Sequence, residues 1–235
     1  MAAIPDEVAR RARLILLNYP NNPTGGACGR DFLAELVAWA RETDTLAVYD
    51  NAYQFLGFDE PALSILEVPG AEEIALEFHT LSKAYAMAGA RAAFAAGAPE
   101  AVAALRKIEL YHQAGLFAPL IQAVCVALED GDDYVAANRR VFRERRDAVS
   151  AALTAMGWEH NLPAGAAYFF LRLDGPPTTD DAAFCRELLA SKGVALVPGR
   201  AFGEEGRGWV RLALTRPRDE LERALELIAD FRAVR

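Results

Sequence analysis

The sequence predicts an α/β protein with a mostly parallel sheet in a large first domain and a smaller α/β domain after it. Three observations carry this expectation. Residues 14–17 and 46–49 are short, continuous apolar runs, which read as buried strands, the first covered on both faces, and 74–78 reads as a third strand. Between the first two, Phe32, Leu33, Leu36, Val37, Trp39 and Ala40 recur at helical spacing. Strand–helix–strand order calls for parallel pairing through a crossover.

In chain order, the first strand ends at Asn18-Tyr19-Pro20, a helix spans 31–42, and the second strand ends at Asp50. The third strand runs into the polar turn 79–83. A fourth, at 92–96, breaks at Gly97-Ala98-Pro99. Helices follow near 99–112, 117–129 and 133–156, the last long and highly charged. The smaller unit then reads as a strand near 168–171, a helix near 180–191, strands near 194–197 and 209–214, and a final helix near 218–232. The expected domains are 1–132, a bridging helix 133–156, and 157–235.

The chain has 235 residues, 53% apolar and 25% charged, with net charge −8. That is a globular balance with enough apolar mass for a core. No basic stripe exists, so nucleic acid is not expected as a partner. Cys28, Cys125 and Cys185 are isolated, as are His79, His112 and His160, so no metal site and no disulfide framework is expected. The apolar segment 92–98 is too short to cross a membrane. The isolated cysteines suit a reducing cytoplasm, which is the expected compartment, and residues 1–7 have no basic stretch leading into an apolar one.

Ligands of such sheets collect at the carboxyl ends of the strands. The polar clusters of this chain sit there: 18–25 after the first strand, Asp50 to Tyr53 after the second, and Thr80 to Lys83 after the third. They bring an amide, an acid, a phenol, hydroxyls and an amine. A lysine held beside an electrophilic carbonyl forms a Schiff base, and pyridoxal phosphate (PLP) supplies that carbonyl. Lys83 is then the catalytic lysine. Asp50 would keep the cofactor's ring nitrogen protonated. Asn22 and Tyr53 would donate to its phenolic oxygen. Thr80, Ser82 and Arg91 would meet its phosphate. Arg211, in the apolar strand 209–214, needs an anionic partner, which the α-carboxylate of an amino acid supplies. Taken singly, Asn22 reads as a turn residue, Tyr53 as a packed aromatic and Asp50 as a strand-end cap.

Together these residues resemble the fold-type I, PLP-dependent aminotransferases of class I/II. Asn18-Tyr19-Pro20-Asn21-Asn22-Pro23-Thr24-Gly25 resembles that family's N-P-x-N-P-T-G loop, and Asp50 to Tyr53 its D-x-x-Y element. Thr80-Leu81-Ser82-Lys83 resembles S-x-S-K, with Arg91 eight residues later. Residues 198–203 resemble P-G-x-x-F-G. The resemblance implies the C-terminal part of a PLP-dependent transferase fold. It implies PLP bound by Asn22, Asp50, Tyr53, Thr80, Ser82, Lys83 and Arg91, with Arg211 and Asn22 on the substrate. It also implies amino-group transfer between an amino acid and a 2-oxoacid, and a homodimer in the full-length form.

Segments 64–71 and 77–83 look like the diaminopimelate aminotransferases of that family, which implies amino-acid biosynthesis towards lysine. Ala90 stands where those proteins carry tryptophan, Ala93 where glycine is common, and 111–115 where a polar S-N-x-D-S-G-like stretch is expected. Relatives carry a long region ahead of the N-P-T-G loop that residues 1–17 do not supply, so the chain reads as a fragment. Two functions follow: an aminotransferase, or a catalytically inactive remnant or interaction module that keeps the PLP-lysine region. A nucleotide-binding domain is disfavoured, since neither G-x-G-x-x-G nor a P-loop is present.

Overall fold

The computed structural model describes residues 1–112, 115–175 and 179–234. Two compact units emerge: Met1–Pro20 with Ala27–Arg139, and Asn21–Gly26 with Arg140–Arg235.

The first unit opens with a short helix, α1 (Asp6–Arg11), and strand β1 (Leu14–Asn18). Helix α2 (Arg30–Glu42) follows and turns Leu33, Leu36, Val37 and Ala40 inward, the i, i+3, i+4, i+7 face of an amphipathic helix. Strand β2 (Leu46–Asp50), a one-turn helix α3 (Ala71–Ile74), β3 (Ala75–Thr80) and β4 (Ala93–Gly97) complete a sheet in the order β1-β2-β3-β4. The first three strands are parallel and β4 is antiparallel to β3. Asn18, Asp50 and Phe78 lie in register, so the chemistry-bearing ends line up on one rim.

One face of this sheet packs on α2. Ala47, Tyr49 and Ala75 join Leu33, Leu36, Val37, Ala40 and Ile65 in one core. The other face departs from the expectation that residues 14–17 are buried on both sides: Leu14 is 56% and Leu16 65% exposed. An apolar run marks both faces alike, but at the β1 edge the described residues leave the side away from α2 open. Helices α4 (Pro99–His112) and α5 (Ala118–Asp130) have no buried residues. Gln113 and Ala114, within the 111–115 stretch, lie outside the described residues.

Helix α6 (Asp132–Ala155) has residues in both units. The second unit continues with β5 (Tyr168–Arg172), α7 (Asp181–Lys192), β6 (Val197–Pro198), β7 (Trp209–Ala213) and α8 (Arg218–Ala233). Its antiparallel sheet runs β5-β7-β6. The strand expected at 194–197 shrinks to two residues, and Pro198 has no N–H to extend the ladder. Helix α7 is well delimited. Asp180 accepts from the N–H groups of Ala182 and Ala183, and Gly193 ends it at φ 71°. Alternation along β5 and β7 puts Phe169, Leu171, Val210 and Leu212 into the core with residues of α7 and α8 such as Leu188, Leu225 and Ile228. Tyr168, Phe170, Trp209 and Arg211 take the opposite face. Among the described residues no helix is long and apolar enough to cross a membrane.

Candidate active site

In the first unit the site is built on the carboxyl ends of β2 and β3. Asp50 ends β2, where its carboxylate accepts from Ala52 N–H at 3.1 Å. Asn18 Nδ2 donates to the Asp50 carbonyl at 2.9 Å, tying the ends of two parallel strands together. The next residue, Asn51, is buried. Its side-chain amide donates to Glu77 Oε1 at 2.7 Å and to the Leu63 carbonyl at 3.2 Å. Tyr53 is buried, and the Lys83 ammonium lies 5.4 Å from the centre of its ring.

Lys83 follows β3 in a tight turn. Leu81 N–H donates to the Ala92 carbonyl, and Met87 N–H to that of Leu81. Thr80 Oγ1 donates to the Ala92 carbonyl at 3.1 Å, accepts from Ser82 N–H at 3.1 Å and lies 3.0 Å from Ser82 Oγ. These bonds draw the residue after Arg91 onto the turn that carries Lys83. Arg91 has left-handed backbone (φ 52°) and an exposed side chain that donates to the Ala88 carbonyl. Asn138 donates to the backbone carbonyls of Lys83 and Ala84 from α6. A cleft of about 340 Å³ opens on the same sheet, lined by Leu16, Val48, Asp50, Ala52, Phe78, His79, Thr80 and Ala93.

Asn22 and Arg211 belong to the second unit. The loop holding Asn22 is closed by Asn21 N–H to the Gly26 carbonyl and Gly25 N–H to that of Asn21, both 2.8 Å. Gly25 has φ +69°, and a Cβ there would come within 2.6 Å of Pro163 Cβ, so no side chain fits. Arg211 Nη1 donates to Asn22 Oδ1 at 2.8 Å. A guanidinium only donates, so the amide oxygen faces Arg211 and the amide's other end offers N–H groups. The Arg211 guanidinium lies over two aromatic rings, 4.4 Å from the Tyr168 ring centre and 4.8 Å from that of Phe202. Its Nε is buried without a hydrogen-bond partner among the described residues. A buried orphan donor costs about 1–3 kcal/mol.

Several supporting residues escaped sequence reading. Glu77 is fully buried in β3 and accepts from Asn51 Nδ2, Ser64 Oγ (2.5 Å) and His79 Nε2 (3.1 Å). Burial pushes its carboxyl up, but hydrogen bonds from His79, Ser64 and Asn51 outweigh burial and hold it below the ordinary range. A charged residue inside the apolar run 74–78 was the available signal. Asp181, also fully buried, accepts from Arg200, which tethers the 198–203 loop to α7.

Several solved structures of similar fold are named as aminotransferases. An aminotransferase from Staphylococcus aureus superposes with a TM-score of 0.93 at 33% identity, over 99% of this chain and 61% of that one. A probable N-succinyldiaminopimelate aminotransferase from Thermus thermophilus gives 0.92 at 36% identity, over 98% and 61%. Among curated proteins, the LL-diaminopimelate aminotransferase of Nitratidesulfovibrio vulgaris (strain DP4) is 40% identical over 229 residues, 97% of this chain and 58% of that protein. That of Desulforudis audaxviator is 40% identical over 228 residues, 96% of this chain and 57% of that protein. The family model for aminotransferase class I and II matches residues 1–228. The chain belongs to the class I and II aminotransferase family, whose members depend on PLP. It spans just under three fifths of the length of these curated relatives.

Proposed function

We propose that this chain carries the PLP-binding lysine and the substrate-carboxylate arginine of an aminotransferase acting between an amino acid and a 2-oxoacid. The observation that carries this reading is the alignment of Asp50, Tyr53, Thr80, Ser82 and Lys83 at the ends of adjacent strands. The donor set fits the cofactor: an amine for its carbonyl, a carboxylate for its ring nitrogen, and hydroxyls with Arg91 for its phosphate.

When bound, PLP supplies an electron-withdrawing ring that makes the substrate's Cα–H acidic. Lys83 takes that proton and returns it, as general base and then acid. Asp50 holds the ring-nitrogen proton. Tyr53 and Asn22 donate to the phenolic oxygen. Arg211 orients the substrate through its α-carboxylate, and its contact with Asn22 couples carboxylate binding to the amide that meets the cofactor.

The names of the similar proteins favour a diaminopimelate-type amino donor, and the family favours a homodimer. The second reading, a non-catalytic module, is supported by the uncovered face bearing Leu14 and Leu16. The test is transfer from LL-diaminopimelate to 2-oxoglutarate by the purified chain with PLP, compared with Lys83→Ala. Transfer lost in the variant upholds the proposal. No transfer by the wild-type chain with that donor or other common amino acids assigns it to the second reading.

A further inference from the structure

Phe202 sits at the end of a chain of contacts that starts on a different element. Asp181, in the first turn of α7, has no solvent exposure. Its Oδ2 accepts from Arg200 N–H and its Oδ1 from Arg200 Nε, both at 2.8 Å. The Arg200 guanidinium also reaches Asp180 at 2.7 Å. One buried carboxylate thus holds both the backbone and the side chain of Arg200.

Arg200 lies inside the short 3₁₀ turn Gly199–Phe202. The start of this turn is fixed by close packing: a Cβ on Gly199 would come within 2.1 Å of the Gly206 carbonyl oxygen and 2.8 Å of Trp209 Cβ. At its end, Phe202 meets Phe170 edge-on at 6.1 Å, and Phe170 stacks on Trp209 at 5.1 Å. The Phe202 ring is then one of the two that the Arg211 guanidinium lies over.

We propose that Asp181 is a positioning residue for Arg211: through Arg200 it sets the Gly199–Phe202 turn, and through Phe202 it fixes the guanidinium and keeps water from its Nε. This deepens the proposed function, because it makes α-carboxylate affinity depend on a buried acid that touches neither substrate nor cofactor. This packing matters because an immobilised, desolvated guanidinium loses little on binding a carboxylate, whereas a mobile, hydrated one must first be ordered and dehydrated.

The experiment follows the Arg211 Nε–H signal by NMR in the whole chain labelled with ¹⁵N-arginine, in wild type and in Asp181→Asn. Arg200→Gln serves as a second variant, which removes the side-chain tether but leaves the backbone bond to Asp181. Wild type should show an Nε–H signal displaced by the two rings and slow to exchange with water. Both variants should lose the Phe202 part of that displacement, as Phe202→Leu does, with faster exchange and unchanged backbone amide signals in β5 and β7. Titration with 2-oxoglutarate should shift the wild-type signal, and the variants should bind on the order of tenfold more weakly.

An Arg211 signal identical to wild type in a folded Asp181→Asn or Arg200→Gln protein overturns the positioning role. A wild-type signal indifferent to 2-oxoglutarate overturns the carboxylate reading of Arg211 instead, while the comparison of variants still decides whether Asp181 positions it.

Discussion

The Asn51 side chain donates to the buried carboxylate of Glu77 at 2.7 Å, linking the residue after Asp50 to the strand that leads to Lys83. The two residues are 26 positions apart in sequence. Through this bond the acid and the amine of the site share one support.

The pH dependence of stability tests that support. Hydrogen bonding holds the folded Glu77 carboxyl below its ordinary value of 4.5, despite burial acting the other way. A depressed folded pKa contributes stability that is fully present above the unfolded value and is lost as pH falls through the folded one. Urea midpoints should therefore fall below about pH 4.5, and Glu77→Gln should remove this component of the fall. At pH 7 the variant should be less stable by about 1–3 kcal/mol, the cost of weakening hydrogen bonds to a buried group.

Leu36 and Leu16 should differ sharply in their sensitivity to substitution. Leu36 is 1% exposed in the core between α2 and the sheet, so Leu36→Ala should cost about 2–5 kcal/mol in chemical denaturation. Leu16 is 65% exposed on the open face, so Leu16→Thr should change stability by less than about 0.5 kcal/mol. A large loss for Leu16→Thr would mean that this face is covered in solution.

The three cysteines should separate by reactivity. Cys185 is buried, and burial together with the nearby Asp181 pushes its thiol up to about 11. Cys28 is half-buried, raised mainly by burial, and lies 3.3 Å from the Tyr49 hydroxyl. Cys125 is exposed. A disulfide reagent at pH 8 should modify Cys125 first in the native protein, and Cys28 and Cys185 readily only after denaturation.

The main elements were legible because their signals are local. Helix 99–112 appears as Pro99–His112, and the final helix near 218–232 as Arg218–Ala233. The strand ends were legible too, since Asp50 and the Thr80–Lys83 turn stop apolar runs. What escaped was set by distant parts of the chain. An apolar run cannot say whether both its faces find a cover, so Leu14 and Leu16 read as buried. Asp181 looks like an ordinary surface acid, and Glu77 interrupts an apolar run with no visible partner, until Asn51, Ser64, His79 and Arg200 converge on them across at least a dozen residues for all but the neighbouring His79.

Lys83 is one of three lysines, with Lys107 and Lys192. That makes its proposed role open to a direct measurement: incubate the native chain with PLP, reduce with borohydride, and locate the added pyridoxyl mass by peptide mass spectrometry. The account predicts the label on Lys83, near one per chain, with Lys107 and Lys192 essentially unmodified. An unlabelled Lys83, or a label spread evenly over the three lysines, would contradict it.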